Sequence, residues 1–121
     1  MEELTEQTKA AVEAIISKPK MTPKLLMKPP FRFLHDTIMA IMNKTQFAEG
    51  LYEESEKASE NVKAKDAKTA FLDKMITCVG ICLGQPLEAR SIKIVAGAEP
   101  DKTNIFLQVG ITEYLKVGSY W

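Results

Sequence analysis

Apolar residues recur along this chain at helical spacing, and proline and glycine cut the recurrence into segments. Leu4, Thr8, Ala11, Val12, Ile15 and Ile16 fall on one helical face, and Pro19 ends that stripe. Thr22 followed by Pro23 reads as an N-cap with proline in the first turn, which predicts a short helix through Leu25, Leu26 and Met27. Pro29 and Pro30 stop it and launch the next, with Phe31, Leu34, Ile38 and Ile41 or Met42 on the inner face. Gly50 and the glutamate-rich stretch behind it predict a turn and an irregular, solvated loop. From Lys65 to Leu83 the spacing predicts a long helix with Phe71, Met75, Cys78, Val79 and Cys82 inward, closed by Gly84 and Pro86. Ile92, Ile94 and Val95 make a short apolar piece ending at Gly97. Pro100 and Thr103 then open a last helix carrying Phe106, Val109 and Leu115 or Tyr114.

No segment alternates cleanly between hairpin turns, so strand signals are poor, and there is no internal repeat or low-complexity tract. The expectation is one all-α domain over residues 1–121, with four main helices and shorter ones lodged in the connections. Phe31, Leu34, Phe71, Met75 and Phe106 are the expected core. A chain of 121 residues buries roughly two-thirds of its unfolded surface and can stand alone.

Charge changes the picture. The chain is neutral, with 16 basic and 16 acidic residues. Yet from Ala14 to His35 there is no acid, while Lys18, Lys20, Lys24, Lys28 and Arg32 all fall there. Glu49, Glu53, Glu54, Glu56 and Glu60 crowd the stretch that follows. Such a gathering points to a surface that meets something acidic through many weak, screened attractions rather than one deep pocket. Lys63, Lys65 and Lys68 form a second candidate patch. The acidic opening Glu2-Glu3-Leu4-Thr5-Glu6 argues against a secretory signal or transit peptide. The longest apolar stretch, from Met75 to Leu83, is far below the ~20 residues that span a bilayer, so no membrane partner is expected. The two cysteines suit a reducing cytosol, and the expectation is a soluble intracellular protein.

Little in the chain promises catalysis. His35, Cys78 and Cys82 make three metal ligands in no zinc arrangement, so His35 is expected as a half-buried helix histidine and the cysteines as core thiols. Asp36 beside His35 points elsewhere on a helix and implies no nucleophile. Gly80-Ile81-Cys82-Leu83-Gly84 lacks the lysine and hydroxyl of a phosphate loop. The sequon Asn43-Lys44-Thr45 is chance in a cytosolic protein. The expectation is a non-enzyme with no cofactor and no metal.

Three stretches in order are more specific: Pro29-Pro30-Phe31-Arg32-Phe33-Leu34-His35-Asp36, then Ser59-Glu60-Asn61-Val62-Lys63 continuing through Lys65-Asp66-Ala67-Lys68, then Ile94-Val95-Ala96-Gly97-Ala98-Glu99-Pro100. They resemble the N-terminal domain of the intraflagellar transport protein fifty-four family, also described as microtubule-interacting proteins associated with a tumour-necrosis-factor-receptor-associated factor. Phe47, Gly50-Leu51-Tyr52 and Thr103-Asn104 fall where that family would put them. The similarity covers residues 8–108. It implies a calponin-homology fold, tubulin binding, and a role in cilium assembly as part of the anterograde transport complex (complex B). Cilium or flagellum, cytoplasm and cytoskeleton are the implied locations. Ala64 departs from the pattern, standing where an acidic residue is expected. The tail from Leu115 to Trp121 has no matched counterpart in the family, and the expectation is an isolated N-terminal domain without the family's linker and the coiled coil that would contact other complex subunits.

The first expectation is therefore a tubulin- or microtubule-binding module acting through Lys18, Lys20, Lys24, Lys28, Arg32, Lys63, Lys65 and Lys68. Docking onto other transport-complex subunits, with little tubulin affinity, is the alternative. Actin binding is less favoured for a lone copy with a basic N-terminal half. Nucleic acid is disfavoured by zero net charge and few exposed aromatics.

Overall fold

The computed structural model describes residues 1–108. Its helices are α1 (Glu2–Glu13), α2 (Pro23–Met27), α3 (Phe31–Thr45), α4 (Lys65–Leu83), α5 (Ser91–Val95) and α6 (Pro100–Ile105), with two 3-10 turns, Glu54–Lys57 and Ser59–Asn61, between α3 and α4. No strand occurs among the described residues. Local chemistry sets most boundaries. Thr22 caps α2 by accepting from the Leu25 N–H at 3.2 Å, and Pro30 in extended conformation starts α3. At the end of α4 the chain turns back through Gly84 at φ 76°, a left-handed conformation that glycine adopts without steric cost. A Cβ on Gly80 would stand 3.2 Å from the Gln85 carbonyl oxygen, so the returning chain packs directly on α4 backbone.

Helix α3 is the centre. Phe33, Leu34, His35, Thr37, Ile38, Ile41 and Met42 are all buried, while Arg32, Asp36 and Asn43 keep one narrow face in solvent. Helix α1 packs on α2 and α6, α2 on α6, and α4 on α5. Polar side chains fix α6 to the N-terminal helices. The Asn104 side-chain amide donates to the Leu26 carbonyl at 2.7 Å and to Pro100 at 2.8 Å. Gln108 donates to the Leu4 carbonyl at 2.9 Å and to Thr8 Oγ1 at 2.7 Å.

Several expectations need correction. Helix α1 ends at Glu13, although Ile16 still reaches the core. Leu34, Phe71, Met75 and Phe106 are buried as expected, but Phe31 is only half-buried. Cys78 is half-buried and Cys82 exposed. Cys82 shares a helical face with Phe71 and Met75, but in the last turn of α4 it is Leu83, not Cys82, that packs against the core. His35 is fully buried, at 1% exposure, rather than half-buried. The last helix runs through Phe106, in a π-type turn at 106–108, and its expected positions Val109, Tyr114 and Leu115 lie outside the described residues.

The largest difference is the glutamate-rich segment. Glu53, Glu54 and Glu60 are exposed as expected, but the segment is docked on α3 and α4 as a strap rather than free of the fold. Tyr52 is buried, and its hydroxyl donates to the Phe71 carbonyl at 2.7 Å. His35 Nε2 stands 2.8 Å from the Glu56 carbonyl, which can only accept, so this nitrogen carries the proton. Lys74 Nζ meets the Glu56 carboxylate at 2.6 Å. Glu53 and Glu56 close a capping box over the first 3-10 turn, and Val62 anchors the far end in the core.

Candidate binding surface

Lys18, Lys20, Lys24, Lys28, Arg32, Lys63 and Lys65 are exposed, and Lys68 is half-buried. Among the described residues none of these eight makes an ion pair, whereas Lys57, Lys74, Arg90 and Lys102 each do. The positive charge of the candidate residues is therefore not neutralised within the described fold.

The linear block does not fold into one patch. Lys18 lines a hollow of about 340 Å³ with Ile15, Ile16, Ala40, Asn43 and Lys44, toward the C-terminal end of α3. Lys24 lies in α2 and Lys28 caps its end, with the Lys28 stem beside Gly97 in the turn after α5. Arg32 sits in the first turn of α3. At about 1.5 Å per residue, Arg32 and Lys44 are separated by roughly 18 Å along the helix. With Lys18 and Arg32 at separate hollows, the block is spread as a ribbon along the chain from Lys18 to Arg32 rather than gathered at one point.

At its Arg32 end the ribbon meets the second patch. Arg32, Lys63 and Lys68 line one hollow of about 340 Å³ together with Phe31, Ser59, Glu60 and Val62. The Lys68 ammonium lies 5.6 Å from the centre of the Phe31 ring, a cation–π distance. Phe31 is held in turn by an edge contact to Phe71, centroids 5.7 Å apart and planes at 79°. Lys65 opens α4 but does not line this hollow. Ala64 is the N-cap of α4, and it supplies no side-chain hydrogen bond. Phe31 and Val62 as walls, Glu60 as the one acid in the ring, and Lys44 beside Lys18 escaped sequence reasoning. Each meets its partner only across the fold, and the Pro30 break before Phe31 was the sole local hint.

Among the described residues no other constellation has the geometry of a chemical centre. Among the described residues no three His, Cys, Asp or Glu side chains stand close enough to hold a metal ion. The Cys78 thiol is pushed up by burial and then by neighbouring Cys82. The Tyr52 phenol is pushed far up by burial, with Glu56 and Cys78 adding to it. No helix among the described residues is long and apolar enough to cross a membrane.

A small all-helical domain with a central buried helix, a docked strap and a ribbon of unpaired cations is the architecture of a binding module of the calponin-homology type. The chain belongs to the microtubule-binding protein MIP-T3 family: residues 4–114 match the model of that family's CH-like domain. It is 49% identical over 108 residues to TRAF3-interacting protein 1 of Danio rerio, which covers 89% of this chain and 17% of that protein. It is 50% identical over 103 residues to TRAF3-interacting protein 1 of Mus musculus, covering 85% of this chain and 16% of the relative. The chain thus spans about a sixth of the length of the curated relatives it matches.

Proposed function

We propose that this domain binds tubulin or microtubules through the basic ribbon, as the N-terminal module of an intraflagellar transport complex B subunit acting in cilium assembly. The observation that carries the reading is that Arg32, about thirty residues earlier in the chain, meets Lys63 and Lys68 around one hollow, none of the three with an ion-pair partner among the described residues. Membership of a family named for microtubule binding supports it. Tubulin presents an acidic outer surface and acidic tails, and unpaired lysines lose little on meeting such a surface because no internal partner is given up. Contacts with other complex subunits would lie mainly in regions beyond this domain.

Co-sedimentation with microtubules and, separately, with actin filaments is the test. Enrichment with microtubules alone supports the proposal, and it should weaken as salt rises from about 0.05 to 0.3 M. Binding to neither polymer, together with no complex with free tubulin dimer on size-exclusion chromatography, would overturn it and favour docking onto other proteins. One observation favours that second reading: an apolar hollow of about 430 Å³ lined by Ile76, Ile81, Leu87 and Pro86, with Ile81 76% exposed.

A further inference from the structure

Within the ribbon, one place differs from the rest in kind. Lys18, Lys20, Lys24 and Lys28 project from surface loops and a short helix and are exposed. The hollow between the start of α3 and the start of α4 has walls, because Phe31 and Val62 line it and Val62 is only 4% exposed. One of its charges is held in place, because Lys68 is half-buried and lies over the Phe31 ring. Arg32 stands on a rigid helix whose next three residues are all buried. The strap that supplies Ser59, Glu60 and Val62 is tied down by Tyr52, by His35 and by the Glu56–Lys74 pair. A site whose walls are already ordered loses less conformational entropy on binding than a fringe of free lysines.

Building on the reading above, we infer that this hollow is the anchor of the interaction and takes a single glutamate side chain of an extended acidic peptide, while Lys18, Lys20, Lys24 and Lys28 only steer the approach. The chemistry favours a carboxylate on an aliphatic stem. The methylenes lie against Phe31 and Val62, and the carboxylate faces Arg32, Lys63 and Lys68. Glu60 in the same ring opposes the ligand and lowers affinity, setting the anchor to reversible binding. A bare inorganic anion has no stem to place on the apolar wall.

The test is titration of the full 121-residue chain, isotope-labelled for NMR, with a short oligoglutamate peptide. Amide shifts are expected at Phe31, Arg32, Ser59 to Lys63 and Lys68. The double variant Arg32→Gln/Lys68→Met should bind the peptide about five- to tenfold more weakly. Exposed Glu60→Gln should bind it about two- to fivefold more tightly with unchanged melting, a gain that damage to the fold cannot imitate. Lys18→Gln/Lys20→Gln should slow association far more than it speeds dissociation. Shifts centred on Lys18 and Lys20, no gain from Glu60→Gln, or equal occupancy by inorganic phosphate at matched ionic strength would each overturn the anchor. Peptide binding without microtubule binding would overturn only the proposed function. Wild-type microtubule binding by Arg32→Gln/Lys68→Met would overturn only the anchor.

Discussion

Tyr52 lies flat on Phe71, ring centroids 4.2 Å apart and planes 4° from parallel, while its hydroxyl donates to the backbone carbonyl of that same Phe71. His35 covers the ring as well, at 4.5 Å and 26°. One α4 side chain thereby holds both the central helix and the strap that borders the basic hollow.

Phe71→Ala should cost about 3–5 kcal/mol, as for other fully buried aromatics. Chemical denaturation measures it, and limited proteolysis should find new cleavage between residues 53 and 63 as the strap loosens. Melting within a degree or two of the parent would contradict this account of the core.

Tyr52→Phe keeps the stack and removes the hydroxyl. The expected loss is about 0.5–1.5 kcal/mol, the usual net value of one hydrogen bond. A loss as large as that of Phe71→Ala would show that the hydroxyl, not the ring, holds the strap.

Ala64 offers no cap to α4 although its backbone, at φ −71° and ψ 149°, is already in cap geometry. Ala64→Asp should raise stability by about 0.5–2 kcal/mol by accepting an unpaired first-turn N–H. The midpoint in denaturant should rise without a change in slope. The same substitution places an acid beside Lys63 and Lys65 and should weaken binding to acidic partners.

Acid should loosen the strap. Burial, the largest single influence, pushes the Glu56 carboxyl up, but the Lys74 hydrogen bond, the Glu53 N–H and the Lys74 charge together outweigh it and hold it below its ordinary 4.5. A depressed carboxyl contributes stability that is fully present above 4.5 and lost as pH falls through the lower folded value. The stability gap between the parent and Glu56→Gln should therefore narrow between about pH 6 and pH 3. A gap that stayed constant would rule out the Glu56 charge as the source.

Charge reversal at Lys24, Lys28 and Arg32 together should weaken microtubule binding by a few kcal/mol and leave helicity intact, since single exposed pairs contribute only about 0.2–1 kcal/mol each. Co-sedimentation with circular dichroism on the same samples decides it. Binding that survived both the triple reversal and high salt would refute the electrostatic mechanism.

What the chain determines by itself is local. Thr22 with Pro23, Pro29 with Pro30, and Gly84 act on neighbouring backbone, so helix starts and stops are legible without any partner. The spacing of Leu34, Ile38, Phe71 and Met75 states which faces are apolar, and all four are buried. The run of cations before His35 was equally plain. Tertiary structure decided the rest, because those outcomes depend on contacts between distant residues. Glutamates 53 to 60 read as solvent-loving, yet Tyr52 and the Glu56 backbone dock their segment on α3 and α4. Cys82 has the helical phase of Phe71 and Met75 but is exposed, and Leu83 packs on the core in that turn instead. Arg32 joins Lys63 and Lys68 rather than Lys18 because a rigid helix carries Arg32 to one end of the domain and the strap returns the chain beside it, a matter of element packing that periodicity does not encode.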